Sequence, residues 1–253
     1  MKFSNQYLES VTLTAREKSN SYPFNVASIK KLKHLDFHPK VTFLVGENGA
    51  GKSTLLEALA IHLGFNPEGG SRNFNFSTKS THSDLHSFLE IKKGLKRPRD
   101  NYFFRAESFY NVATAIEQLD EEAEMYGGYG KPIKSFFGGK SLHEQSHGES
   151  FFTLLNERFV GHGLYLFDEP EAALSPTRQL SMLTRLHDLC SQHSQFIIAT
   201  HSPILLSYPD AIIFQITDEG INQVAYEETE HFQTTKNFLN NHGKMLKILL
   251  ADE

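Results

Sequence analysis

Gly46-Glu47-Asn48-Gly49-Ala50-Gly51-Lys52-Ser53-Thr54 is the stretch on which the reading of this chain turns. Just before it, Val41-Thr42-Phe43-Leu44-Val45 is a compact β-branched and apolar run, the pattern of a strand buried in a parallel sheet. Just after it the period changes: Leu55, Leu56, Leu59, Ala60 and Leu63 recur at helical spacing, with Gly64 as a C-terminal stop. Glycines between a strand and a helix let the backbone curl, so that successive N–H groups point inward at one anion. The helix start adds the positive end of its dipole to the same place. Lys52 is then set to reach the β- and γ-phosphates of a nucleotide, and the Ser53 hydroxyl to ligate Mg2+. The complete pattern, in the strand–loop–helix context that confirms it, predicts a triphosphate-binding loop, the P-loop.

Three further segments are read in the light of that loop. Leu164-Tyr165-Leu166-Phe167-Asp168-Glu169-Pro170 is an apolar strand ending in two acids. It delivers carboxylates to the C-terminal sheet edge, where α/β proteins bind ligands. Asp168 is expected to hold Mg2+ and Glu169 to orient and polarise the attacking water as general base; alone, such a pair is as often a helix-capping turn. Ala199-Thr200-His201-Ser202-Pro203 follows the next buried strand, so His201 is expected to contact the γ-phosphate rather than to serve as a structural histidine. Ser146-His147-Gly148-Glu149-Ser150 opens a helix. A serine hydroxyl, glycine N–H groups and a helix N-terminus suit a γ-phosphate held by another subunit, with a plain N-cap at Ser146 as the bland alternative.

In that order the segments resemble the motifs of ABC ATPases, with Ser146 and Gly148 matching the serine and first glycine of the signature and Glu149 departing from it. The D-loop of such enzymes corresponds to Glu171-Ala172-Ala173-Leu174-Ser175. The wording of the motifs is more similar to the SMC/RecF/OLD-like branch, including small bacterial AAA-family ATPases, than to transporters. The resemblance implies ATP and Mg2+ as cofactors and a homodimer that closes on ATP. It also implies a Q-loop, for which Glu107 in Arg105-Ala106-Glu107-Ser108 is the candidate metal contact; an ion pair of Arg105 with an acid is the alternative. Tyr22 and Phe24 are candidates to stack on adenine, or else core residues. Gly46 and Ser146 stand too close in sequence for a coiled-coil arm, and no OLD-type nuclease domain is expected.

The remainder of the 253 residues bounds the class. Hydrophobic residues at 39% and charged residues at 22% describe an ordinary globular chain. No apolar run approaches the ~18–20 residues of a membrane span. The N-terminus lacks a signal-peptide core, and Cys190 is the single cysteine, so no internal disulfide and a cytoplasmic location are expected. A net charge of −5 argues against a coat of positive charge for a polyanion. The run Lys92, Lys93, Lys96, Arg97 and Arg99 is read as a solvated turn, with nucleic-acid contact as the minority reading. His82 and His86 have a spacing that suits a metal, in a segment too rich in Ser and Thr for the helix zinc would need.

Strands are expected at 7–13, 24–29, 41–45, 85–91, 102–105, 163–167, 196–200 and 211–216, and helices at 112–125, 151–159, 176–193 and 229–250, the last broken near Gly243. This alternation predicts an α/β fold of the P-loop NTPase, ABC type. Its elements are a mainly parallel central sheet, an N-terminal antiparallel β portion and a small helical insertion, in one domain over 1–253 whose signature subregion spans about 108–160. The functional expectation is ATP hydrolysis by a dimer that acts on nucleic acid or a protein effector in repair or defence. The nucleotide-binding subunit of a membrane transporter and a nucleotide-gated switch with little turnover are the alternatives.

Overall fold

The computed structural model describes residues 6–14, 21–71, 83–109 and 147–251, together with 111, 114, 118–121 and 125. Its centre is a six-stranded sheet in the order β5-β6-β7-β3-β8-β9. These strands are β3 (Val41–Val45), β5 (Asp100–Arg105), β6 (Gly163–Asp168), β7 (Gln195–Ala199), β8 (Ile212–Thr217) and β9 (Gly220–Val224). All neighbours run parallel except β9, which returns antiparallel to β8. A separate antiparallel sheet has the order β2-β1-β4, from β1 (Leu8–Leu13), β2 (His34–Asp36) and β4 (Leu89–Lys93).

The continuous apolar runs are explained by burial on both faces. Val41, Phe43, Val45, Tyr165, Phe167, Phe196 and Ile198 face one hydrophobic layer. Their alternates Leu44, Leu164, Leu166, Ile197 and Ala199 face the other. The first layer is closed by α4 (Pro176–Ser191), and the second by α2 (Lys52–His62). Helix α2 is buried nearly all round because the small sheet covers its far side, so Leu55, Leu56, Ala58, Leu59 and Ala60 are all inaccessible.

Gln195 joins the two sheets. Its Oε1 accepts from the backbone N–H groups of Tyr7 (3.0 Å) and Leu8 (2.9 Å), and its Nε2 donates to the carbonyls of Leu8 (2.8 Å) and His38 (3.0 Å). The side chain is fully buried, so no water replaces these partners. Gln195→Leu, which keeps the volume and strands four buried backbone groups, is expected to cost about 3–4 kcal/mol in urea unfolding. A loss near zero would mean the small sheet docks without it.

Several elements differ from the sequence expectation. Residues 24–29 are not a strand: a short helix α1 (Ala27–Lys31) forms, of which Ser28 and Ile29 turn inward, against the P-loop and the second hydrophobic layer. The expected strand at 85–91 splits into a 3-10 turn (Asp84–Phe88) and β4, since Leu85 and Leu89 are four apart and both buried. Strands β2 and β9 carry too few apolar residues to stand out, and pairing alone makes them. Helix α3 (His147–Thr153) starts earlier than expected and runs on as a π-helical turn (Leu154–Arg158). After the short helix α5 (Pro203–Leu206), helix α6 (Glu230–Leu249) is kinked at Asn241, not at Gly243. Of the helix expected at 112–125, positions 114, 118–121 and 125 are helical and the rest lies outside the described residues.

Among the described residues, no helix is long and apolar enough to cross a membrane, and no group of three or more His, Cys, Asp or Glu could hold a metal ion. His82 lies outside the described residues, and His86 Nδ1 is turned to the Ser83 carbonyl at 3.1 Å. In the basic run Lys92 pairs with Glu9 at 2.8 Å, and Lys93, Lys96, Arg97 and Arg99 are exposed, as a solvated turn requires.

Candidate functional site

The strand order brings the chemistry together. With β7 between β3 and β6, the P-loop, the acidic pair and the His201 loop all leave the same C-terminal edge of the sheet. The loop is curled by glycine where sterics demand it. Gly51 caps α2 in the left-handed region (φ 99°), and a Cβ there would meet Ser28 Oγ at 2.9 Å. A Cβ on Gly46 would come within 2.2 Å of the Ile216 carbonyl oxygen, which holds the loop tight against β8. Helix α1 supports it from below, where Ser28 Oγ donates to the Ala50 carbonyl.

Lys52 is buried, and its Nζ donates to the carbonyls of Gly46 (2.8 Å) and Glu47 (3.0 Å), across the mouth of the loop. Burial pulls its pKa below the ordinary lysine value, opposed by Glu169 and Asp168. Ser53 Oγ donates to Asp168 Oδ1 at 2.9 Å, so the two expected metal contacts already share one position. Burial pushes the Asp168 pKa up to about 6, against the lowering pull of Ser53 and Arg105.

Glu169 follows in the left-handed conformation (φ 50°, ψ 51°), a strained backbone of the kind that functional sites retain. Its N–H is bonded to Ala199 O at 2.9 Å, and its half-exposed carboxylate lies 3.5 Å from His201 Nε2. That nitrogen is buried and makes no hydrogen bond, as are Arg105 Nε and Glu171 Oε2. An unpartnered ring nitrogen, a buried ammonium and a hydroxyl–carboxylate pair at one sheet edge have the chemistry that a triphosphate with its magnesium ion needs. Burial holds the His201 pKa below the ordinary value, with the Lys52 charge acting the same way.

At Glu107 the alternative reading, an ion pair with Arg105, is what forms. The exposed Glu107 side chain lies 3.5 Å from Arg105 Nη2, while Arg105 bonds Glu57 at 2.7 Å and stands 3.6 Å from Asp168. Arg105 thus sits where the carboxylate of Glu107 was expected, because it is in register with Asp168 on the adjacent strand. Phe24 is core, edge-on to Phe88 at 5.1 Å, whereas Tyr22 is exposed and its hydroxyl bonds Thr54 Oγ1 at 3.0 Å. Ser146 lies outside the described residues; His147 and Gly148 begin α3, and Glu149 is 3.8 Å from Arg178 on α4. Sequence reasoning missed two contacts. Glu171 accepts the His201 backbone N–H, and His231 on α6 lies 2.9 Å from His201 Nδ1. No motif flags His231, thirty positions downstream of His201.

Comparison with known proteins finds AAA-type domains and ATP-binding cassettes. A family model for an AAA domain matches residues 24–125. A second, whose description joins an AAA domain to the AbiEii toxin of a Type IV TA system, matches residues 142–207. The tungstate uptake system ATP-binding protein TupC of Campylobacter jejuni is 25% identical over 239 residues, 87% of this chain and 70% of that protein. ABC transporter G family member STR2 of Medicago truncatula is 25% identical over 176 residues, which are 64% of this chain but 24% of that protein, so the chain spans about a quarter of its length. In fold, a nucleotide-free ATP-binding cassette from an ABC transporter is similar with a TM-score of 0.53 at 15% identity, over 98% of this chain and 100% of that one. With AAA-domain family models matching both halves of the motif set and an ATP-binding-cassette fold around it, the chain is similar to P-loop ATPases of the ABC type.

Proposed function

We propose that this chain is an ATPase that works as a homodimer closed around two ATP molecules and their magnesium ions, each held by the P-loop of one copy and the Ser146–Glu149 stretch of the other. Residues 46–54 would wrap the phosphates with main-chain N–H groups, and Lys52 would exchange its bonds to Gly46 and Glu47 for phosphate oxygens. Ser53 and Asp168 would hold the magnesium ion, which when bound neutralises charge between the β- and γ-phosphates. Glu169 would take the proton of the attacking water, and His201 would donate from Nε2 to the γ-phosphate. The observation that carries this reading is the convergence of Lys52, the Ser53–Asp168 pair, Glu169 and His201 at one sheet edge.

The dimer is supported by the surface that α3 and the D-loop make together, with Glu149 on Arg178 beside the Ser175 cap of α4. Its test is the mass in solution of Glu169→Gln with Mg-ATP, by light scattering. A doubling of mass, abolished by Ser146→Arg, is the expected result. Nucleotide-loaded protein that stays monomeric would sink the proposal.

The dimer would act on a nucleic acid or on a protein effector in repair or defence; the signature departs from the transporter wording, and the second family model's description points the same way. The resemblance to TupC over most of the chain favours one other reading, a transport ATPase. Stimulation of turnover by duplex DNA at low salt supports the first and opposes the second.

A further inference from the structure

We infer that His231 is a positioning residue for His201: by donating its Nε2–H to His201 Nδ1, it fixes the tautomer in which His201 carries its proton on Nε2, toward the reacting phosphate. The inference rests on the reading of His201 as a γ-phosphate contact and deepens it.

The two rings lie 2.9 Å apart, nitrogen to nitrogen, with centroids 5.0 Å apart and planes at 52°. Burial and the nearby Lys52 ammonium keep both imidazoles below the ordinary histidine pKa. Two neutral imidazoles sharing one hydrogen bond must divide the roles, one donating and one accepting. If His201 donated from Nδ1, its Nε2 would present a bare lone pair to the Glu169 carboxylate 3.5 Å away. If His231 donates, His201 Nε2 presents an N–H to that carboxylate and later to phosphate. Electrostatics selects the second arrangement. A histidine with the wrong tautomer is an acceptor and has nothing to offer a phosphate oxygen.

The placement of His231 is built in rather than incidental. Thr229, fully buried, caps α6 by accepting from Phe232 N–H at 3.4 Å and donates to Tyr226 O at 2.7 Å. The Phe232 ring packs on Tyr226 at 4.6 Å, and the Tyr226 hydroxyl donates to Pro203 O at 2.9 Å, two residues past His201. The first turn of α6 is thus fastened to the loop whose histidine it orients.

The test pairs a spectroscopic readout with kinetics. Nitrogen-15 NMR of histidine-labelled, nucleotide-free protein, with His201 assigned by its loss in His201→Ala, is expected to show His201 protonated on Nε2. In His231→Leu the same signal is expected to move toward a mixture of tautomers. Turnover of His231→Leu is expected to fall about tenfold with the ATP KM changed less than about twofold, and His231→Gln, whose amide can donate, to recover most of it. His201 found protonated on Nδ1 in the wild-type protein would overturn the inference whether or not the leucine variant folds. An unchanged His201 signal in His231→Leu, or no recovery with glutamine, would also overturn it. The underlying reading fails separately: full turnover by His201→Ala would remove the γ-phosphate contact, whatever the tautomer.

Discussion

Glu169→Gln is expected to lower steady-state ATP hydrolysis by about 10²–10⁴-fold, the range removed with a general base. The substitution isolates proton acceptance. Glutamine keeps the shape of the side chain and the neighbour at His201, yet it cannot take a proton from water. The Glu169 backbone stays pinned by its N–H on Ala199, so the left-handed turn has no reason to relax. Because the side chain is 41% exposed and enters no buried ion pair, stability is expected to change by less than about 0.5 kcal/mol. Nucleotide binding is expected to persist, so kcat falls while the ATP KM moves little, the sign of an interaction made in the transition state. Phosphate release at saturating Mg-ATP is the measurement. Rates equal to wild type would remove Glu169 as the base.

Asp168→Asn is expected to give opposite results for stability and activity. A carboxyl whose pKa rises on folding from 3.8 to about 6 binds its proton more tightly folded than unfolded. By linkage, that makes folding less favourable as pH climbs through this window. Above it, the buried charge costs about 3 kcal/mol in the nucleotide-free protein. Asparagine carries no such charge and still accepts from Ser53, while Arg105 keeps Glu57. At about pH 8 the melting temperature of the nucleotide-free variant is expected to exceed wild type by roughly 6–10 °C. The gain is expected to vanish near pH 4, where Asp168 takes up its proton. Excess Mg-ATP is expected to reverse the order, because ligand binding stabilises only the chain that can hold the metal. Hydrolysis by the variant should be near background. Equal melting temperatures at pH 8 would show that the carboxylate is not a desolvated burden.

The two substitutions probe the part of the site that could be read from sequence, and the reason it could is local. The P-loop needs glycine where φ is positive and a lysine at a fixed offset, and these demands fall on consecutive residues. The apolar runs of β3, β6 and β7 are likewise legible, because both faces of a central parallel strand are buried and every position reports it. Strands with one wet face, such as β2 and β9, give no such run and were missed. The 24–29 segment was misread because its buried positions, Phe24, Ser28 and Ile29, are too few for a period to show over so short a stretch.

Glu107 shows where motif order reaches its limit. Position in the chain placed it after β5, but the pairing of β5 with β6 sets Arg105, not Glu107, beside Asp168. Glu107 lies two residues on, past the end of β5, and sequence alone states neither where a strand ends nor its register.

The sequence by itself marked the P-loop, Asp168 with Glu169, and His201 as the candidate site, because each sits at the end of a buried strand, where local pattern reports position. The tertiary structure alone decided how those groups are supported. Arg105 stands against Asp168, Gln195 stitches the small sheet to the large one, and His231 reaches His201. Each of these contacts joins residues far apart in the chain, and hydrogen bonds between distant polar side chains leave no periodicity behind. They exist only once the strand order has been set by burying both faces of the sheet.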